Sequence, residues 1–122
     1  MPWEVEACVR EVRSAFPGVP LGMHAHNDNG LAAANSLTAV RAGATHVQGT
    51  MNGYGERCGN ADLSTLIPNL ELKMGIAALP PGRLGHLTRV ARTVASIANQ
   101  PLGRNVPYVG RSAFAHKGGV HA

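Results

Sequence analysis

Apolar residues near the amino terminus fall at helical spacing, because Val5, Val9, Val12 and Phe16 lie four, three and four residues apart. They paint one stripe on a helix of about 15 residues, with Pro2 suited to its first turn and Pro17 and Gly18 ending it. VPLGMHA, residues 19–25, is short and apolar and runs into the polar HNDNG, the pattern of a buried strand that opens into a loop. Residues 30–42, GLAAANSLTAVRA, are rich in Ala and Leu and stop at Gly43, which predicts a helix. THVQGTM, residues 45–51, is the next strand. The Gly-rich NGYGERCGN then leads into a helical pattern through Leu63, Leu66 and Leu70, which Pro68 should kink or delay. Beyond residue 79 the pattern changes: LPPG precedes Leu84, Leu87, Ala91, Val94 and Ala98 with no strand before them. A helix over 83–99, packed outside the strand and helix units, is the expectation. The remaining tail has no clear period, and the chain shows no internal repeat and no low-complexity segment.

Alternating strands and helices joined by short turns imply parallel strands with crossover helices, so the fold class is α/β. Two strands do not make a stable parallel sheet with helices on both faces, since each needs neighbours to satisfy its backbone groups. The chain therefore reads as incomplete.

Composition narrows the function classes. The 122 residues are 44% hydrophobic and 15% charged, as in an ordinary folded domain rather than a disordered tail. No apolar stretch approaches the roughly 20 residues that span a bilayer. Glu4, Glu6 and Glu11 break any apolar run at the amino terminus, unlike a secretory signal, and the default setting is cytoplasmic. Cys8 and Cys58 are too few for a disulfide framework or a four-thiolate zinc site and read as reduced thiols. Aromatic residues make up 4% and are not interleaved with Arg or Lys, which argues against nucleic-acid binding. The net charge of +4 is uneven: residues 62–122 hold seven basic and two acidic side chains, against four and five in residues 1–61. A basic half of this kind faces an anionic ligand such as a nucleotide phosphate, an acidic protein surface, or solvent.

His24 and His26 are two apart at the carboxyl end of a predicted strand, so the pleat points both imidazoles to one side. Two metal ligands are presented in this way, although two histidines also share a strand face without any metal. Asn27 and Asp28 follow directly, and Gly53, Gly55 and Gly59 free the next loop to bend. Glu56, Arg57 and Asn60 can thereby reach the same end of the sheet, where ligand sites of α/β sheets and barrels lie.

The run HAHNDNGLAAANSLTAVRAGATHVQGTMNGYGERCGNADL resembles the last two strand and loop units of the acyl-CoA condensing barrels that include isopropylmalate, homocitrate and citramalate synthases. An HxHND loop, an A-x-A-N-S helix, an A-G-A turn and a GxGERxGN loop occur in family order at family spacing. LIPNLELKMG and PYVGRSAFAHKGGVHA are most similar to the citramalate synthase branch. The resemblance implies a partial (β/α)8 barrel over residues 1–79 and the start of a helical linker subdomain over 80–122. It sets Met1 just after the place of the sixth barrel strand, as in a truncated chain.

By that resemblance His24, His26 and Asn60 match ligands of a divalent metal, which suits zinc, manganese or magnesium. A fourth ligand, an Asp on the first barrel strand, is absent here. Asp28 is read as a group orienting a histidine, and His121 as the residue for acid/base chemistry. Glu56, Arg57, His116 and Lys117 are candidates for substrate or coenzyme A contacts; a Glu56–Arg57 pair within one loop and a solvent-facing loop at His116 and Lys117 are the plain alternatives. Cys58 is left as a packed thiol. The implied activity joins acetyl-CoA to a 2-oxo acid, giving citramalate from pyruvate or isopropylmalate from 2-oxoisovalerate, in a full-length homodimer and towards branched-chain amino acids. Metal-dependent hydrolase barrels also carry HxH on a strand, but on their first strand and without GxGERxGN. An inactive remnant is the rival of another class, and the isolated chain is expected not to catalyse the condensation.

Overall fold

The computed structural model describes residues 1–116. Helix α1 (Pro2–Ala15) opens on a proline, whose missing N–H would have no partner at a helix start in any case. Val5, Val9 and Val12 are half-buried, and α1 lies against the next helix, α2 (Ala32–Ala42). Phe16, the expected end of the stripe, is instead 59% exposed. Glu6 ties the two helices together, bonding Arg10 at 2.7 Å and Arg41 of α2 at 3.2 Å. Gly43 closes α2 in the left-handed conformation, at φ +111°.

Strands β1 (Gly22–His24) and β2 (His46–Gln48) pair in parallel, with Gly22 opposite His46 and His24 opposite Gln48. The helix between them supplies the crossover that parallel neighbours require. Each strand has three residues, fewer than the runs 19–25 and 45–51 read from the sequence. Pro20 has no N–H to give to a ladder, and beyond β2 the chain turns through Asn52 at φ +62°. Met23, Ala25 and Val47 cover one face with Ala32, Leu37, Ala61, Leu63 and Leu66. The alternate positions Gly22, His24, His46 and Gln48 form an exposed second face. In a barrel this second face is the one directed at the interior.

Helix α3 (Leu63–Pro68) is capped by Asp62, whose carboxylate accepts the Ser64 N–H at 2.8 Å and the Ser64 hydroxyl at 2.7 Å. Pro68 withholds an N–H from the Ser64 carbonyl, and the helix widens there into a π-helical segment, Asn69–Lys73, rather than stopping. The helix expected over 83–99 is α4 (Leu87–Ile97), preceded by a 3-10 turn at Leu84–His86. It docks through Leu87 and Ala91, which cluster with Val109, Met51 and Ile67. Asn52 fixes that docking by donating from Nδ2 to the Ala91 carbonyl at 2.9 Å. Among the described residues no helix is long and apolar enough to cross a membrane.

Candidate functional site

The chain leaves β1 at His24 and passes through Ala25 to His26, which forms an antiparallel bridge with Asn60. Two backbone bonds flank the bridge: Asn27 N–H to the Gly59 carbonyl at 2.8 Å, and Ala61 N–H to the Ala25 carbonyl at 3.0 Å. His26 and Asn60 are thus a non-hydrogen-bonded pair, whose side chains leave the same face with Cβ atoms about 4.5–5.5 Å apart. His24 shares that face by alternation, and its ring meets the His26 ring edge to face with centroids 5.1 Å apart. The structure therefore gathers His24, His26 and Asn60 at the carboxyl end of β1.

Close backbone packing delivers Asn60 to this point. Gly59 has φ +87°, and a Cβ there would stand 2.0 Å from the Gly53 carbonyl oxygen, the same oxygen that accepts the Asn60 N–H at 3.0 Å. Gly55 leaves space for the Asn60 side chain, since a Cβ on it would fall 2.2 Å from Nδ2. Asn60 Nδ2 donates to the Tyr54 carbonyl at 3.1 Å. A carbonyl only accepts, so this bond fixes the amide with Oδ1 turned away from Tyr54. That Oδ1 is buried with no hydrogen-bond partner in the protein, and so is His26 Nδ1.

Buried polar atoms without partners are rare and costly. Asn35, Ser36 and Asn52 also carry such atoms, but His26 Nδ1 and Asn60 Oδ1 belong to residues that face each other, and both are able to offer a lone pair, the nitrogen when its proton sits on Nε2. Imidazole nitrogens with an amide oxygen fit a divalent cation of the zinc, manganese or magnesium type. Among the described residues no group of three or more His, Cys, Asp or Glu is placed to hold a metal ion, so the donor set here depends on the Asn60 amide.

Two expectations, for Asp28 and Cys58, and one plain alternative, the Glu56–Arg57 pair, differ from the structure. Asp28 does not orient a histidine; its carboxylate takes two bonds from Arg57, Nε to Oδ1 at 3.0 Å and Nη2 to Oδ2 at 2.8 Å. Arg57 accordingly reaches across to the HND loop rather than pairing with Glu56 inside its own, because the guanidinium fork matches a carboxylate edge. The guanidinium holds the Asp28 carboxyl below its ordinary value, and the carboxylate raises Arg57 in return. Cys58 is exposed on this loop rather than packed. Glu56 and His116 are exposed as well, while Lys117 and His121 lie outside the described residues. Tyr54 carries no signal in the sequence, yet its carbonyl accepts both the Asn60 amide and the Thr50 hydroxyl and its own hydroxyl donates to the Gln100 carbonyl at 3.4 Å. A role played by a backbone carbonyl leaves no residue-type signal to find.

Residues 1–94 match the HMGL-like family model. Over 100% of its length the chain is 55% identical to (R)-citramalate synthase of Aquifex aeolicus, covering 23% of that protein. It is 62% identical to the Synechocystis (R)-citramalate synthase over 83% of the chain and 18% of that protein. A 2-isopropylmalate synthase of Pyrococcus furiosus is 44% identical over 85% of the chain and 21% of that protein. The chain thus spans less than a quarter of the length of these curated relatives. Among solved structures, an HMG-CoA lyase from Acinetobacter baumannii in complex with coenzyme A and 3-methylmalate superposes with a TM-score of 0.73 at 26% identity, over 96% of this chain and 39% of that one.

Proposed function

The chain belongs to the HMGL-like family, and from that membership we propose that it carries the metal-holding end of an acyltransferase barrel that condenses acetyl-CoA with pyruvate to give (R)-citramalate. The observation that carries the choice of acceptor is the higher identity to citramalate synthases than to the 2-isopropylmalate synthase. The second reading, 2-oxoisovalerate as acceptor, rests on that lower but substantial likeness. Residues 1–79 belong to the barrel and 80–122 to the start of a linker subdomain in this proposal, with a homodimer in the cytoplasm as the working form.

His24, His26 and Asn60 would hold the divalent cation. When bound, it supplies Lewis-acid polarisation of the acceptor's keto group and a template for the neighbouring carboxylate. These three donors are neutral, so even with the carboxylate that the family resemblance adds from the first strand the cation keeps net positive charge to attract an anionic 2-oxo acid. The exposed face with Gly22, His24, His46 and Gln48 forms the wall beside which the acceptor lies. A base takes a methyl proton from acetyl-CoA, the resulting carbon bonds to the keto carbon, and the keto oxygen gains a proton to become a hydroxyl; His121 is assigned to this proton traffic. Water then cleaves the thioester and frees the coenzyme A thiol. Glu56 and His116 are exposed and free to meet the coenzyme, with Lys117 beside His116 in sequence. Arg57 spends its fork on Asp28.

The test offers the full-length protein acetyl-CoA with pyruvate or 2-oxoisovalerate and follows free thiol. Thiol release with pyruvate that disappears in His24→Ala is the expected result. Preference for 2-oxoisovalerate would move the assignment to the second reading, and no release with either acid would refute both.

A further inference from the structure

We infer that Asp28 and Arg57 are positioning residues, whose ion pair latches the loop after β1 to the Gly-rich loop and so keeps Asn60 opposite His26. The inference rests on the metal-centre reading proposed above. Its first support is geometric: two parallel bonds, at 3.0 and 2.8 Å, fix the relative orientation of the loops as well as their separation. Its second is location. Asp28 is two residues from His26 and Arg57 is three from Asn60. The same Asp28 carboxylate also takes a backbone bond from Cys58, so this one side chain grips the Gly-rich loop at two successive residues. It reinforces the backbone bonds Asn27 N–H to Gly59 and Ala61 N–H to Ala25 that flank the His26–Asn60 bridge.

A third support comes from what the pair does not do. Its side chains are 55% and 50% exposed, and a surface pair of that exposure adds little to global stability. Arg57 also stands at φ +56°, a left-handed conformation that disfavours any residue with a Cβ. A strained arginine held by an exposed carboxylate is poorly explained as a stabiliser of the fold. It is well explained as the catch of a loop whose job is to present Asn60.

The latch and a simple charge effect make opposite forecasts. Through space, losing Asp28 would weaken cation binding and losing Arg57 would strengthen it. If the pair acts as a latch, both losses weaken binding. The experiment titrates Mn2+ into metal-free full-length protein, reads bound ion from the fall of the free-Mn2+ electron paramagnetic resonance signal, and melts each metal-free variant in parallel. Arg57→Ala and Asp28→Ala are each expected to weaken Mn2+ binding about tenfold or more, with little change in the metal-free melting temperature. The double variant should be no weaker than either single one, because both break the same tie. Arg57→Lys, which keeps the charge and loses the fork, should fall in between.

Tighter or unchanged Mn2+ binding in Arg57→Ala overturns the latch, as does a loss confined to the melting temperature. His24→Ala separates the two levels of the argument. If it weakens Mn2+ binding while Arg57→Ala does not, only the latch fails; if it leaves Mn2+ binding untouched, the metal-centre reading fails and takes the latch with it.

Discussion

Replacing Gly55 by alanine should disable the site while sparing the fold. The added Cβ would lie 2.2 Å from Asn60 Nδ2 and 3.0 Å from Asn60 Cγ, where ordinary contact begins at 3.4 Å. The amide must therefore retreat by about 1.2 Å. Because the yielding atoms are the end of a side chain, the backbone can stay in place. The retreat breaks the 3.1 Å bond to the Tyr54 carbonyl, worth about 0.5–1.5 kcal/mol. That carbonyl keeps the Thr50 hydroxyl, so nothing is left orphaned at Tyr54. A loss near 1 kcal/mol lowers the melting temperature of a barrel of 150–250 residues by only about 2–4 °C. A metal ligand, in contrast, tolerates about 0.2 Å of error. Gly55→Ala should accordingly bind Mn2+ no better than Asn60→Ala, although Asn60 itself is intact. Mn2+ titration of the two variants beside the unaltered protein is the assay. Wild-type affinity in Gly55→Ala together with weak binding in Asn60→Ala would refute the placement of the Asn60 amide against Gly55.

Gly59→Ala should do the reverse and damage the fold, because its Cβ meets a backbone oxygen at 2.0 Å from a φ of +87° that alanine avoids; a loss of about 2 kcal/mol or more in urea unfolding is expected, and a variant as stable as the parent would contradict it. The Glu6 carboxyl is held below its ordinary value, 4.5, first by its bond to Arg10 and then by its bond to Arg41. Its contribution to stability is thus complete above about pH 4.5 and is lost as the pH falls through the lowered folded value. Glu6→Gln should flatten that acid limb in melts taken across pH 3–6, and an unchanged limb would show that the α1–α2 tie is not felt in solution.

Most of the fold was legible because its elements are built on local periodicity. The four and three spacing of Val5, Val9 and Val12 produced α1, and the Ala-rich run ending at Gly43 produced α2 with its left-handed cap. What failed was extent. Strand length depends on partners that sequence pattern does not record, and among the described residues β1 and β2 pair only with each other, over three residues. Pro68 was legible as a disturbance but not in kind: the Asn69 amide donates to the Thr65 carbonyl at 2.8 Å beside the missing N–H, and the helix continues in a wider form. A single proline fixes which bond is lost, whereas the neighbours decide whether the helix ends.

At the site, legibility divides along the same physical line. The His24 and His26 pair needs only the two-residue repeat of an extended chain, so their common face followed from spacing alone. Asn60 is thirty-four positions beyond His26, and its arrival opposite that residue depends on a loop whose path is set by contacts among its own backbone atoms. The glycines of NGYGERCGN marked the loop as able to bend. They did not reveal that Gly59 is needed by the Gly53 carbonyl and Gly55 by the Asn60 amide. Asp28 was misread for a related reason. A carboxylate near two histidines is a reasonable partner for an imidazole, but Arg57 offers two charge-assisted bonds where a histidine offers one. The stronger, bidentate partner takes the carboxylate, and His26 Nδ1 is left without a hydrogen bond. An unbonded ring nitrogen and an unbonded amide oxygen on paired residues are a state that ligation by a cation would relieve.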